Sequence, residues 1–334
     1  MKRTDPAEIK VFIGMVLVLF VPLTLTLLSI KQPRLPLDIP VPPAANPSPH
    51  GYTWSLLLFV VPDLVLGWWV LAMHRGRKEK KAFWLTVGLL VPLWCLLDIF
   101  LGLTFFKFPN LGASVGTFWG YEFGEGWKKA IPIEEIGFYA FGFVAMLLVY
   151  IWGDEYWFAD YKKEPSLETD QSAKLFKPHF ASALIGLVLF GAAWAYKKFG
   201  PHNYHEGIPG YFLFMLLACI LPSLLFYRLA RDSINWRAFS FGFLFILFVS
   251  VFWEATVGVP YQWWDYNRSQ MMGLFIGAFT SLPVEAVILW LFASWTTIIV
   301  YRTVHVFLGA RALRFGRTGK ESSLLKQSHA VSPS

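Results

Sequence analysis

Long apolar runs separated by short polar or charged stretches dominate the chain. Runs long enough to cross a bilayer, about 20 residues, lie at roughly 11–30, 54–73, 83–106, 130–152, 179–196, 210–227, 236–258 and 271–303. The pattern predicts an all-α, polytopic membrane bundle of about eight transmembrane helices. The last run is too long for one simple crossing and contains Pro283, so 271–282 reads as a broken or re-entrant lead-in and 283–303 as the crossing proper. The proline-rich stretch Gln32 to Pro49 reads as an extended outer loop, and the polar stretch after Gly153 as the boundary between two halves. The basic, Ser-rich tail from Arg311 is expected to be disordered. The chain thus divides into a first membrane repeat (1–153), a cytoplasmic linker (154–177), a second membrane repeat (178–310) and a disordered cytoplasmic tail (311–334).

The two halves carry the same features in the same order. Pro62 matches Pro222, Asp98-x-x-x-Gly102 matches Glu254-x-x-x-Gly258, Trp119-x-Tyr121 matches Trp264-x-Tyr266, and Pro132-x-Glu134 matches Pro283-x-Glu285. With an even number of spans in each half, the two four-helix repeats are expected to run parallel, about a pseudo-axis along the membrane normal.

Composition fits this layout. Of the 334 residues 56% are hydrophobic and 15% charged, whereas a soluble domain carries nearer a quarter charged residues. The formal net charge of +7 follows from a loop bias, with 21 Lys and Arg on one side of the expected membrane and 8 on the other. The positive-inside rule then puts both termini in the cytoplasm of a bacterial-type plasma membrane, and no nucleic-acid partner is needed to explain the charge. Lys2, Arg3 and Lys10 ahead of the first run would also suit a signal peptide, but no small-residue cleavage site follows directly, so the run reads as a span. Cys95 and Cys219 lie within apolar runs, without metal-ligand spacing, and read as packing residues.

Candidate chemistry centres on Ile131-Pro132-Ile133-Glu134-Glu135 and Leu282-Pro283-Val284-Glu285-Ala286. Proline followed by Glu suits the first turn of any helix, which is the plain structural reading. The expected topology, however, brings Asp98, Glu134, Glu135, Glu254 and Glu285 to one level in the outer third of the bilayer. An ionised carboxylate in hydrocarbon costs on the order of 2–3 kcal/mol or more. Burial and a neighbouring carboxylate both favour the protonated form, so at least one of the five is expected to be a neutral acid near pH 7, suited to general-acid catalysis on an apolar substrate. Glu134 and Glu135 project about 100° apart on a helix, so both cannot face one point. Glu134 is favoured, because Glu285 matches it whereas Ala286 stands opposite Glu135. Trp119, Tyr121, Trp264 and Tyr266 read first as interfacial anchors; folded over the acids, their rings would stabilise a carbocation.

The order acidic residue, Trp-x-Tyr, then Pro-Ile-Glu-Glu with Phe138 ahead of an aromatic-rich span, present twice, resembles the integral-membrane lycopene cyclases of bacteria, archaea and fungi. The resemblance covers roughly 55–155 and 210–305, and the second motif departs from it at Ala286. It implies a redox-neutral isomerase, or intramolecular lyase, acting in carotenoid biosynthesis. An acid protonates the terminal double bond of a hydrophobic polyene, the cation closes a six-membered ring, and a carboxylate removes a proton. That chemistry needs no nucleotide, cofactor or metal. Glu134, Glu135, Glu285, Asp98 and Glu254 would be catalytic, and Trp119, Tyr121, Phe138, Trp264 and Tyr266 would bind substrate.

Rival readings are a related carotenoid-modifying enzyme, a non-catalytic carotenoid- or lipid-binding protein, and an ion-coupled transporter, since parallel repeats and intramembrane carboxylates serve carriers too. His202, His205 and Glu206 resemble a metal site only loosely, and Asp154, Glu155 and Asp160 lack the repeated spacing of magnesium-dependent membrane prenyltransferases.

Overall fold

A computed structural model describes residues 49–73, 77–162, 178–277 and 281–330. Among them are seven helices long and apolar enough to cross a membrane, which suggest an integral membrane protein. They are α1 (Gly51–Ala72), α2 (Arg77–Phe105), α3 (Ile133–Trp157), α4 (Phe180–Phe199), α5 (Gly210–Ser233), α6 (Trp236–Gly258) and α7 (Val284–Ala330), the last of which is apolar as far as Gly309. The expected run at 11–30, and most of the proline-rich stretch after it, lie outside the described residues.

The bundle is not purely helical. Three two-stranded antiparallel sheets join helix ends: β1 (Phe106–Lys107) with β4 (Asp265–Tyr266), β2 (Thr117–Glu122) with β3 (Gly126–Pro132), and β5 (Phe275–Gly277) with β6 (Ser281–Pro283). The stretch 271–282, expected as a broken or re-entrant lead-in, holds β5 and most of β6. Its Gly273 adopts φ +94°, a left-handed conformation suited to glycine and unsuited to a helix. The β2–β3 turn likewise uses Gly124 and Gly126, at φ +90° and +91°.

Both proline motifs end a strand and start a helix. Pro132 pairs with Thr117, and Pro283 pairs with Phe275. Proline has no amide hydrogen to donate and fixes φ near the value a first helical turn needs. The next residue ties each helix start to its own hairpin: Ile133 N–H donates to the Gly116 carbonyl at 3.0 Å, and Val284 N–H to the Leu274 carbonyl at 2.9 Å. At the far end, α7 continues to Ala330 where the composition predicts disorder. Lengthening an existing helix carries no nucleation penalty, and Ala312, Leu313 and Arg314 are good helix formers.

Helices α3 and α7 form the centre. Two thirds of the apolar window of each (67%) is buried, against 22% for α1 and for α4. In lipid the gain from helix association is close packing rather than removal of apolar surface from water. Ala145 to Ile151 of α3 meet this requirement as a continuous buried tract, packed against α1, α2, α6 and α7. Helix α4 packs chiefly on α5. The two hairpins (β2–β3 and β5–β6), the long-range β1–β4 pair, the start of α1, α3, α5 and α7, and the end of α2, α4 and α6 all gather at one end of the bundle, the hairpin end.

Candidate functional site

Two carboxyl groups face one narrow cavity at the hairpin end. Its lining includes Glu135 and Phe138 of α3, Glu254 and Trp253 of α6, Tyr52 of α1, Tyr211 of α5, and Trp264 and Tyr266 of the loop beyond α6. Each acid is held by a phenol: the Tyr52 hydroxyl donates to Glu135 Oε1, and the Tyr266 hydroxyl donates to Glu254 Oε2. Burial, and then the Glu254 carboxylate beside it, push the Tyr266 phenol well above its ordinary range, so it remains a donor.

Local geometry explains how these groups meet. Glu254 opens a π-helical turn, Glu254–Gly258, that ends α6. A bare Cα at Gly258 lets the chain return close beneath Trp264; a Cβ there would stand 2.1 Å from the indole. Tyr266 is brought back by the β1–β4 pair, whose register sets it opposite Phe106. Around the acids the rings are close: Trp253 and Trp264 centroids lie 4.6 Å apart, Phe138 stacks on Trp253 at 5.1 Å, and Tyr52 sits 5.3 Å from Trp264 and 5.6 Å from Trp263. Such walls present ring faces that favour a positive charge in the space between them.

Five carboxylates were expected to be catalytic, and they have four different surroundings. Glu135 and Glu254 share the cavity. Asp98 is buried next to them, with neither oxygen hydrogen-bonded by a close donor among the described residues; Tyr139 and Glu135 are its electrostatic neighbours. Glu285 is fully buried, accepting from the Met272 amide at 2.5 Å. Glu134, the favoured acid, turns into the connection ahead of β2, where it accepts from the Thr53 and Ser114 hydroxyls and from the Val115 amide at 2.8 Å. It does not line the cavity. The roughly 100° between neighbouring helix positions leaves room for one of the pair, and Glu135 occupies it. Glu134 instead fastens α3 to α1 and to the loop at Ser114. Glu134→Gln replaces one of the two oxygens that together accept from three donors and is expected to cost about 1–3 kcal/mol of stability, with faster amide exchange at Val115, measurable by hydrogen exchange in detergent.

The expected substrate-binding residues also divide. Phe138, Trp264 and Tyr266 line the cavity. Trp119 and Tyr121 do not: Trp119 is 58% exposed on β2, and Tyr121 packs within the hairpin against Phe123 and Trp127 at 5.6 and 5.5 Å. The shared spacing that matched the two Trp-x-Tyr motifs in sequence therefore does not give them one environment. Sequence reasoning missed Tyr52, Phe106, Tyr139, Tyr211, Trp253 and Leu289, all in the lining. Tyr139 was findable, one helical turn after Glu135, and so was Trp253 beside Glu254. Tyr52 and Tyr211 lie in the first turns of other helices, and no local pattern marks them.

The weaker candidates have structural partners. His202 and His205 stack at 4.9 Å and meet the carbonyls of Tyr196 and Lys197, each at 3.2 Å. Asp154 pairs with Arg302, and Glu155 with Lys162 at 2.5 Å. Compared with models of protein families, with curated proteins and with solved structures, the chain finds no match in any of the three.

Proposed function

We propose that the chain is a membrane-embedded acid–base enzyme that closes a ring at the end of a linear carotenoid, as its resemblance to the membrane lycopene cyclases implies. The observation that carries the reading is the pair of phenol-bound carboxyls, Glu135 and Glu254, facing one aromatic-lined cavity. Glu135 protonates the terminal double bond, the ring faces of Trp253, Trp264 and Phe138 stabilise the cation, and Glu254 removes a proton after ring closure. The cavity is narrow, so an entering polyene end displaces ring side chains at its mouth. Expression in lycopene-producing cells, with pigments read by absorbance and mass, tests the reading: a cyclic product of unchanged mass is expected, and unaltered lycopene at normal membrane expression overturns it.

The same reading includes two four-helix repeats, the first completed by a span in 1–48, with both termini cytoplasmic. Support comes from the two proline-led helix starts. In each, the first-turn Glu accepts from a backbone amide upstream, at Val115 for Glu134 and at Met272 for Glu285, and each helix follows directly on an antiparallel hairpin. The Lys and Arg bias puts the hairpin end away from the cytoplasm. A cysteine introduced at Gly112 is expected to react with impermeant reagents from the outer side; labelling from the cytoplasmic side alone would reverse the orientation.

An ion-coupled carrier is the second reading. It is favoured by Asp63, which is buried within α1 with neither oxygen hydrogen-bonded among the described residues. A carrier predicts that Asp63→Asn abolishes proton-coupled uptake in vesicles; a cyclase predicts no such uptake.

A further inference from the structure

The proposed reaction carries its proton one way. Glu135 gives a proton to the terminal carbon–carbon double bond, forming a C–H bond, and the cation closes a C–C bond. Glu254 then takes a proton from the neighbouring carbon, whose C–H electron pair becomes the new double bond. Substrate and product are isomers, but the proton now sits on Glu254 while Glu135 is left as an anion. A second turnover requires its return.

We propose that Tyr211 returns this proton, acting as a relay between the two carboxyls; the inference rests on reading them as acid and base. Tyr211 lines the cavity together with both. It lies near enough to Glu254, Glu285, Glu135 and Asp98 to feel their charge, so it stands among carboxyl groups from both halves of the chain. Of the other three phenols in the lining, Tyr52 is committed to one oxygen of Glu135 and Tyr266 to one oxygen of Glu254, while Tyr139, one turn after Glu135 on α3, stands beside Asp98. Tyr211 lies beside the second of these, its ring centroid 6.5 Å from that of Tyr266, and it is held by Phe105 and Phe106 at 5.1 and 5.3 Å. It also belongs to α5, which supplies neither carboxyl, so it can be altered without touching the helices that carry them.

The transfer balances without a co-reactant. The Glu254 carboxyl passes its proton to the Tyr211 oxygen as the Tyr211 O–H passes its own to Glu135. The phenol is regenerated and nothing is oxidised or reduced. A narrow, largely apolar cavity with a polyene in it has little space for bulk water to do this instead.

The decisive variant is Tyr211→Phe, which keeps the ring and its packing. With enzyme in excess, the first turnover is expected to slow much less than later ones, since the ring stays in the lining and only its hydroxyl is lost. With substrate in excess, turnover after the first equivalent is expected to fall by about 10²-fold, the size of a positioned proton-transfer group. Equal slowing of first and later turnovers, or no change in either, overturns the relay. A second measurement needs no substrate. The infrared C=O band of the resting Glu135 carboxyl, identified by its loss in Glu135→Gln, is expected to shift on transfer to D2O in the wild type and to shift markedly more slowly in Tyr211→Phe, because the anionic Glu254 exchanges with it through the phenol; an unchanged rate in that variant overturns the proposal. Should the wild type make no cyclic product while the exchange still slows in Tyr211→Phe, the cyclase reading falls and the proton link between the carboxyls stands.

Discussion

Glu135→Gln is expected to abolish ring formation, lowering turnover of a linear carotenoid by about 10²–10⁴-fold, the usual contribution of a positioned acid. The change is close to isosteric. The amide still accepts from Tyr52, so α1 and α3 stay joined at this point and the protein should reach the membrane in normal amount. What disappears is the transferable proton. Glu254→Gln is expected to give a loss of similar size, because it removes the proposed acceptor for the second proton transfer. The double variant should be little worse than either single one if both groups serve one reaction, since such effects do not add. Glu134→Gln is the control that separates site from scaffold. Its carboxylate is bound by Thr53, Ser114 and the Val115 amide, so the variant is expected to lose stability while what folds retains turnover. Product formation per milligram of folded protein, measured in detergent or in lycopene-producing cells, distinguishes the two. Wild-type turnover in Glu135→Gln, or selective loss in Glu134→Gln, would move the acid to the other member of the pair.

That contrast also shows how far the sequence could be read. Membrane helices were legible because twenty-residue apolar runs are long signals that local context rarely overrides. The positions of Pro132 and Pro283 marked helix starts, and α3 and α7 begin one residue after them. The segments just before these prolines were harder. Ala130-Ile131-Pro132 and Ser281-Leu282-Pro283 are apolar and abut a helix, so they merge with it in any hydropathy pattern; in the fold they are strands. The choice between Glu134 and Glu135 depended on rotation of α3 about its own axis. That rotation is set by tertiary contacts, Tyr52 on one side and the loop at Ser114 on the other, which lie 83 and 20 residues away in sequence. Repeat matching favoured Glu134, and the match has a structural counterpart: Glu134 and Glu285 both bind a backbone amide ahead of their own helix. A matched pair can thus share an architectural role rather than a catalytic one. The aromatic lining was half legible for a similar reason, because Trp264-x-Tyr266 and Trp119-x-Tyr121 share spacing but not surroundings.

Asp154→Asn is expected to be the most destabilising polar substitution away from the cavity. At the end of the bundle opposite the hairpins, Arg302 of α7 is buried, with side-chain exposure of 2% against 3% for Asp154. Its Nη2 donates to Asp154 Oδ2, and its Nε donates to the Tyr150 hydroxyl at 2.7 Å, so α7 is fastened twice to α3. The Tyr150 oxygen also accepts from the Asn235 amide at 3.2 Å, which ties in the start of α6. Residues 150, 154 and 302 therefore join the three most buried helices, and the pair has no water to fall back on. Removing one charge strands the other: breaking such a pair costs about 3–5 kcal/mol, whereas replacing both partners by apolar groups of similar volume is often nearly neutral. Asp154→Asn should lower thermal stability in detergent strongly, and Arg302→Met similarly. The double variant Asp154→Leu with Arg302→Met should recover most of the loss. Because the cluster sits at the other end of α3 from Glu135, turnover per folded molecule should be unchanged in the double variant. If instead that variant folds well but loses turnover, Arg302 and Asp154 contribute to the reaction or to transport, and the division between a reactive hairpin end and a structural far end does not hold.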